Sequence, residues 1–433
     1  MKKQKTVGRV CCALILLCLS IGALSSCAQS KQSSLPLSPA IDCIAEQTPM
    51  AKSALKGNPI TFSADDFARA TNLSRVEKIT ITSLPSTTDG ELRVGSTVLN
   101  AEQSLSAASV SLMTYVPNSD ISSSEFRFKV NDLPYEMCCK LYMLDGQNYA
   151  PTISNAPKTA LEVSTYRDVT HFGKLPCYDP DGDKTYIEIV SYPEKGTLVL
   201  DDKEVGSYRF IPYEGSTGKD SFTYVARDMY GNYSPSATVS LSINKKETPV
   251  SYVDLQNSPH HNAALTMTEQ GIMSGTQVGS NTYFYPENTV SRAEFTVMVM
   301  NAAGIKEVNP TSKTVFADDA DIPSQMKDYV GAAYELGYIK GIETDGKLCF
   351  EPNREITRAE AAVMLANILD AATPTIKPSF EDSEDIPVWA EPSISALGAM
   401  GVMSTVEDNS ISPLEPLTRG AAADILTNFI AVK

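Results

Sequence analysis

The chain has 433 residues, with 52 Asp or Glu against 36 Lys or Arg and a formal net charge of −16. This length exceeds one ordinary domain of ~100–200 residues, and the ordinary apolar content excludes a wholly disordered chain. Residues 251–433 hold 25 acidic and 11 basic side chains, a net of −14, so we expect no nucleic-acid partner.

The N-terminus has the pattern of a secretory signal, which we place at residues 1–27 and follow with a linker at 28–45. Basic residues precede the uncharged apolar run Val10 to Leu24. The run is shorter than the ~18 residues that indicate a membrane-spanning helix. We therefore predict a secreted protein.

The end of this signal, LSSC at Leu24 to Cys27, resembles the lipobox of bacterial lipoproteins. The resemblance implies acylation of Cys27 and attachment to membrane lipid. Plain signal cleavage near Ser26 or Ala28 is the alternative. The later cysteines, which we interpret as buried or incidental thiols without a disulfide framework or zinc motif, are Cys43, Cys138, Cys139, Cys177 and Cys349.

An alternating apolar pattern predicts an all-β region after the linker. The predicted strands lie within residues 76–84, 126–130, 185–190, 221–226 and 237–243. The region also repeats, because FRFKVND (126–132) aligns with FTYVARD (222–228). We predict two β sandwiches, β module 1 at residues 46–150 and β module 2 at residues 151–245.

β module 2, with DPDGD at 179–183 and GKDSFTYVARD at 218–228, resembles the cadherin-like and immunoglobulin-like modules of bacterial surface proteins. Asp179, Asp181 and Asp183 are candidate Ca²⁺ ligands, together with Asp228, because hard cations take several oxygens at once. The alternative is a tight turn, which favours the same residues. We predict no other cofactor.

A sequence of about eleven residues occurs three times near the C-terminus. The copies are VSRAEFTVMVM (290–300), ITRAEAAVMLA (356–366) and LTRGAAADILT (417–427). Matching segments upstream of each copy define repeat 1 at 251–306, repeat 2 at 315–371 and repeat 3 at 380–433.

Each repeat is predicted to contain two helices. Ser291, Thr357 and Thr418 are hydroxyl N-caps for the second helix. Glu294 and Glu360 complete capping boxes in the first two repeats. The residues expected to end the first helices in left-handed turns are Gly271, Gly337 and Gly401.

The motifs SRAE, TRAE and TRG, the opening YVD, FAD and FED and the threefold repetition resemble S-layer homology domains. The resemblance implies an α-helical triplet in a pseudo-threefold arrangement. Its grooves would bind secondary cell-wall polysaccharide, including pyruvylated forms. The protein would then lie in the cell wall or S-layer, and with an acylated Cys27 it would also be a membrane-anchored lipoprotein.

A guanidinium beside the first turn of a helix can hold a carboxylate through two hydrogen bonds. We therefore expect Arg292 and Arg358 to bind the glycan. The motif residues Glu294 and Glu360 and the mid-repeat residues Gly275 and Gly341 complete the candidate site. The alternative is purely structural, with glutamates that cap and arginines that bridge the repeats.

Repeat 3 departs from the pattern, so its groove and Arg419 are expected to bind weakly. Ala421 replaces the box glutamate and Gly420 replaces an alanine. Trp389 is expected to pack in the core.

Recognised catalytic motifs do not occur in the sequence. His171, His260 and His261 belong to no metal or nucleophile pattern, and we expect the last two to lie in an exposed loop. The sequence therefore predicts a non-enzymatic surface protein that anchors to cell-wall glycan and displays its β modules. An adhesin or receptor whose β modules bind a partner is the alternative.

Overall fold

The computed structural model describes residues 50–433 except positions 119, 155, 157, 376, 404 and 406–408. The predicted signal, the linker, Cys27 and Cys43 lie outside the described residues. The described residues belong to one compact unit, Glu46–Lys433.

β module 1 is built from strands with short helices between them. Its elements are β1 (Met50–Leu55), β2 (Ile60–Thr61), α1 (Ala64–Ala70), β3 (Lys78–Ser83), β4 (Gly90–Val94), β5 (Thr97–Val98), β6 (Gln103–Ser106), α2 (Ala107–Val110), β7 (Met113–Pro117), β8 (Ser123–Val130) and β9 (Met137–Leu144). One sheet has the order β1-β9-β8-β3-β6 and the other β2-β7-β4-β5.

Alternation of side chains along the strands gives this module its core. In β8, Phe126, Phe128 and Val130 are buried, while the residues between them are exposed. Residues two apart lie on the same face of a strand, so the apolar set faces the second sheet. The predicted sandwich is present.

β module 2 follows with the same plan. Its elements are α3 (Lys158–Leu161), β10 (Glu162–Tyr166), β11 (His171–Lys174), β12 (Thr185–Ser191), β13 (Gly196–Asp202), β14 (Ser207–Pro212), β15 (Gly218–Asp228) and β16 (Ala237–Asn244). The sheets have the orders β10-β16-β15-β12 and β11-β14-β13. In both modules the first strand pairs in parallel with the last, which supports the internal repeat.

The three C-terminal repeats are helical, as predicted. Repeat 1 has α4 (His261–Glu269), β17 (Thr276–Val278), β18 (Asn281–Tyr283) and α5 (Arg292–Ala302). Repeat 2 has α6 (Lys327–Glu335), β19 (Ile342–Thr344), β20 (Lys347–Cys349) and α7 (Arg358–Leu369). Repeat 3 has α8 (Glu391–Ala399) and α9 (Arg419–Val432). Gly271, Gly337 and Gly401 have φ of +69°, +75° and +71°, which confirms the predicted left-handed helix ends.

The second helix of each repeat is buried more fully than one apolar stripe requires. In α5, Phe295 and Val299 are buried on one side, and Ala293 and Thr296 on another side are buried too. Since α9 contacts both α4 and α5, and α6 and α7 also contact α5, the second helices lie inside the helical region.

β module 2 is joined to repeat 1 through Tyr166, which belongs to the core of the helical region. Its hydroxyl donates a 2.7 Å hydrogen bond to Glu269. Burial raises the pKa of Tyr166 to about 12. The other oxygen of Glu269 accepts the N–H groups of Glu247 and Thr248, so this carboxylate fixes the connecting segment.

The cysteines that the structure describes behave as the sequence suggests. Cys138, Cys139, Cys177 and Cys349 are free thiols. Cys139 is fully buried, and this burial raises the pKa of its thiol well above the ordinary value. None of the helices in the described part of the chain has the length and hydropathy needed to cross a bilayer.

Candidate functional site

A ring of backbone hydrogen bonds joins the residues that precede the three second helices. Val290 N–H donates to Leu417 at 2.9 Å, Leu417 N–H to Ile356 at 2.8 Å, and Ile356 N–H back to Val290 at 3.0 Å. Each repeat supplies one residue, so the ring contains all three repeats.

The first turn of each second helix donates to the loop of another repeat. In α5, Arg292 N–H bonds the carbonyl of Arg354 at 2.8 Å and Ala293 N–H that of Pro352 at 3.1 Å. The equivalent donors of α7 and α9 bond Glu415 and Pro413, and Asn288 and Pro286. These N–H groups would otherwise be unpaired and could bind an anion. Protein carbonyls occupy them instead.

The motif arginines Arg292 and Arg358 are buried, each with 6% of its surface exposed. Arg358 donates from Nε to the carbonyl of Ile411 in repeat 3 at 2.6 Å. Arg292 lies over the ring of Phe350 in repeat 2, and its Nε is a buried donor without a hydrogen-bond partner among the described residues. Burial lowers the pKa of both guanidinium groups.

Arg419 is the half-buried arginine of the three. Its Nε donates to Phe284 at 2.9 Å and its Nη2 to Ser274 at 2.8 Å, both carbonyls of repeat 1. The rings of Tyr283 and Tyr285 flank Phe284 in sequence and stack with centroids 5.6 Å apart. Burial lowers the pKa of Arg419, and Glu294 and Asp254 oppose that shift.

The predicted capping boxes are present at Glu294 and Glu360. Glu360 has a second role, because Arg354 binds both of its oxygens, at 2.5 and 3.1 Å. Nη1 of Arg292 also lies 3.5 Å from Glu360, so one carboxylate faces two guanidinium groups. These contacts lower the pKa of Glu360, although burial opposes the shift. Arg354 was missed at the sequence level, since it lies outside the repeated motif.

The aspartates of the opening motif hold the loop before each second helix. Asp254 accepts the N–H groups of Phe284 and Tyr285, Asp318 those of Phe350 and Glu351, and Asp382 those of Ile411 and Ser412. The second residue of each pair has a left-handed backbone, with φ of +56° at Tyr285, +59° at Glu351 and +51° at Ser412. The repeated aspartate therefore fixes a strained turn.

The predicted glycines lie against the aromatic residue that opens their own repeat. A Cβ at Gly275 would stand 2.4 Å from the Tyr252 ring, and one at Gly341 would stand 2.7 Å from the Phe316 ring. Gly341 also has φ of +76°. Close packing accounts for both positions.

Two predictions about repeats 1 and 3 are wrong. His260 and His261 do not lie in an exposed loop, because His261 begins α4 and Nδ1 of His260 lies 2.7 Å from Asp424 of α9. Trp389 does not pack in the core, since 57% of its surface is exposed. The histidine partner is distant in sequence, and an isolated tryptophan carries no periodicity that could place it.

The predicted aspartates of β module 2 fall into two groups. Asp179 and Asp183 meet Asp228, with one oxygen of each within 4.8 Å of the others. Asp181 instead accepts the N–H of Tyr149 at 2.6 Å.

Two family descriptions match the chain. "Bacterial Ig domain" matches residues 148–244. "S-layer homology domain" matches residues 251–296, 315–362 and 379–423.

Curated relatives share stretches of this chain. The surface-layer 125 kDa protein of Lysinibacillus sphaericus is 27% identical over 172 residues, which is 39% of this chain and 14% of that protein. The S-layer protein sap of Bacillus anthracis is 37% identical over 100 residues, 23% of this chain and 12% of that protein.

An amylopullulanase of Thermoanaerobacterium thermosulfurigenes is 29% identical over 158 residues, 35% of this chain and 8% of the enzyme. The chain thus spans between 8 and 14% of the length of these three relatives. It carries a bacterial Ig domain followed by three S-layer homology domains, which is the composition of a cell-surface protein.

Proposed function

We propose that this chain is a non-catalytic cell-surface protein. Its three S-layer homology domains would bind secondary cell-wall polysaccharide and so anchor the protein to the wall. The β modules would then be displayed or spaced from the wall. The adhesin alternative differs only in giving the β modules a protein or glycan partner of their own.

A pseudo-threefold arrangement of the repeats fits this role. The ring through Val290, Ile356 and Leu417 uses one equivalent residue from each repeat. The first turns of the second helices also donate around all three repeats, but in the opposite direction, from repeat 1 to 2, from 2 to 3 and from 3 to 1. Such a closed ring would place the motif arginines at three related grooves between repeats.

The groove between repeats 3 and 1 carries the proposal. Arg419 uses two of its guanidinium donors on Phe284 and Ser274. A guanidinium has five N–H donors, so others remain for a ligand carboxylate. The stacked rings of Tyr283 and Tyr285 lie nearby, with Tyr285 38% exposed. An aromatic face beside a charged donor suits a sugar that bears a pyruvyl carboxylate.

The groove residues of repeats 1 and 2 fit a supporting role better than direct contact. Arg292 and Arg358 would have to become exposed before a sugar could reach them. Glu360 already binds Arg354 through two hydrogen bonds, so this charged pair is satisfied within the protein. Exposure therefore favours Arg419, whereas the sequence pattern favours Arg292 and Arg358.

Wall binding is tested by cosedimentation of the secreted chain with purified cell walls. We expect retention on native walls and its loss after the secondary polysaccharide has been removed. A smaller loss is expected when only pyruvyl groups are absent. Equal retention on stripped peptidoglycan would overturn the proposal. Binding of a separate protein by a chain that no longer binds walls would favour the adhesin.

Lipid attachment at Cys27 would add a membrane anchor to the wall anchor. Labelling with a radioactive fatty acid tests it, with Cys27→Ser as the control. Label that persists in the variant, or a mature chain that begins beyond Cys27, would exclude this attachment.

A further inference from the structure

A polar cleft lies on β module 1, along strands β8 and β9. Its volume is about 440 Å³, within the range of ~300–1,000 Å³ that small-molecule sites have in proteins. Four serines, two acidic residues, two basic residues and one tyrosine line it, together with Leu84 and Phe126. The cleft lies outside the bacterial Ig domain and the S-layer homology domains.

The outer face of β8 and β9 supplies most of the charged lining. Ser123 pairs with Tyr142 and Glu125 pairs with Lys140 in the register of these antiparallel strands. Residues two apart lie on one face of a strand, so the four side chains share a face. Ser123, Glu125 and Lys140 are exposed and Tyr142 is half-buried. Their polar groups therefore reach the solvent side by side.

The segment between β3 and β4 also lines the cleft, and hydrogen bonds fix it. The backbone N–H of Asn118 donates to the carbonyl of Asp89 and its side-chain amide to that of Thr88, both at 2.8 Å. The hydroxyl of Tyr115 donates to the Asp89 carbonyl at 2.8 Å, and that of Ser124 to Oδ2 of Asp89 at 3.0 Å. A site held in place by the protein loses less entropy when a ligand binds.

The charges of the lining cancel. Asp89 and Glu125 are acidic, while Arg127 and Lys140 are basic. Arg127 also lies 3.3 Å from the carboxylate of Glu136. With two charges of each sign, the cleft attracts neither a polyanion nor a cation at long range. A neutral ligand that forms many short hydrogen bonds fits such a lining best.

We propose that this cleft binds a neutral oligosaccharide. Sugar hydroxyls both donate and accept, so they suit a lining that mixes serine hydroxyls with the carboxylate of Glu125 and the ammonium group of Lys140. The ring of Tyr142 is held by edge-on packing against Tyr230, with centroids 5.2 Å apart. A fixed aromatic ring offers an apolar surface to the carbon-bound hydrogens of a sugar.

A protein partner fits the cleft less well. Protein interfaces have a centre of apolar and aromatic side chains that becomes buried on binding. In this lining Phe126 is buried, and Leu84 and Tyr142 are half-buried. The described lining therefore offers hydrogen bonds rather than an exposed apolar centre.

A neighbouring cleft favours a chain of sugars over a single sugar. This second cleft, of about 530 Å³, shares Ser123 and Tyr142 with the first and extends to Met229 and Tyr230 of β module 2. A ligand that fills the first cleft has room to continue there. Such a ligand would make β module 1 the binding part of the adhesin alternative, and it does not require wall binding by the S-layer homology domains.

The test titrates the whole secreted chain by calorimetry with four neutral tetrasaccharides: cellotetraose, chitotetraose, maltotetraose and mannotetraose. We expect at least one of them to bind saturably, one molecule to each chain, with a dissociation constant in the micromolar to millimolar range. Hyaluronan tetrasaccharide carries carboxylates and is the anionic comparison. It should bind at least about tenfold more weakly, because the cleft has no net positive charge.

The test variants are Glu125→Ala and Lys140→Ala, each expected to weaken binding by about tenfold or more, since each removes a hydrogen bond to a charged group. Lys129→Ala is the matched control. This lysine is exposed on the same face of β8, but it lies outside the lining of the cleft. It should bind like the unmodified chain. Circular dichroism checks that each variant is folded.

Absence of binding by all four neutral sugars at millimolar concentration would overturn the proposal. Tighter binding of the hyaluronan tetrasaccharide would refute a neutral ligand. Equal affinity in folded Glu125→Ala, folded Lys140→Ala and the unmodified chain would place the binding elsewhere and would also overturn the proposal, while wall anchoring stood. A chain that binds the tetrasaccharide through this cleft but is not retained on cell walls would refute wall anchoring alone.

Discussion

Nε of Arg419 donates a 2.9 Å hydrogen bond to the carbonyl of Phe284, which lies 135 residues earlier in the chain. The guanidinium also lies 4.8 Å above the ring of Phe284. This contact joins repeat 3 to repeat 1, and the backbone ring joins both to repeat 2. The motif arginine of repeat 3 therefore contributes to the assembly of the repeats.

Replacement of Arg419 by alanine should lower retention on cell walls by about tenfold or more, because a hydrogen bond to a charged group contributes ~1.5–3 kcal/mol. The chain should stay folded, since this side chain is half-buried. Arg292→Ala and Arg358→Ala should chiefly lower the unfolding temperature, because both side chains are buried. Cosedimentation and thermal unfolding of all three variants separate the effects.

Arg93→Ala is the control for these variants, since this arginine pairs with Glu91 on β module 1. If Arg292→Ala or Arg358→Ala abolished retention at an unchanged unfolding temperature, the ranking drawn from the sequence would be right and the exposure argument would be wrong.

The local features of the repeats could be predicted from sequence because they depend on neighbours in the chain. The Ser291 side chain accepts the N–H of the third residue of its helix, and Gly271 ends its helix because it adopts a positive φ. The acceptors of Arg358 and Arg419 could not be predicted, since they are backbone carbonyls of another repeat. No side-chain pattern marks a carbonyl, so the difference in exposure between Arg419 and the buried Arg292 and Arg358 could be seen only in the fold.

Glu360→Ala should destabilise the chain more than Glu294→Ala. Both variants lose a capping box, but Glu294 is exposed, while Glu360 also faces Arg354 and the buried Arg292. We expect a loss of about 2–4 kcal/mol at Glu360 against about 0.5–1 kcal/mol at Glu294. Urea unfolding monitored through Trp389, the one tryptophan of the chain, measures the difference. Equal losses would mean that Glu360 contributes only as a cap.

Gly420→Ala should destabilise repeat 3, although alanine normally favours a helix over glycine by up to about 1 kcal/mol. A Cβ at this position would stand 2.6 Å from Cδ2 of His260. The imidazole would have to move and would lose its contact with Asp424. A loss of ~1–3 kcal/mol is expected from such overpacking.

The double variant His260→Ala, Gly420→Ala tests the cause of that loss. Removal of the ring makes room for the methyl group, so the second substitution should no longer destabilise the chain. If Gly420→Ala lowered the stability equally in the presence and absence of the His260 ring, the departure from the TRAE pattern at Gly420 would have another origin.

The helical region should be less stable at alkaline pH, because His260 then loses the proton that strengthens its contact with Asp424. The hydrogen bond to Asp424 raises the pKa of His260 above its ordinary value of 6.5, Glu287 adds to the shift, and burial opposes it. A histidine with a raised pKa stabilises the fold fully below its unfolded value, and this contribution is lost as pH rises through the folded value. The free energy of unfolding should therefore fall as pH rises above about 6.5.

The measurement compares urea midpoints at about pH 6 and about pH 9, a range in which histidine loses its charge. His260→Gln keeps a polar group but cannot titrate, so its midpoint should change less between the two values. Asp424, whose pKa burial raises from an ordinary value of 3.8, titrates on the acid side and also faces Arg358. If the urea midpoint of the unmodified chain changed with pH as much as that of His260→Gln, the contact between His260 and Asp424 would not hold repeats 1 and 3 together.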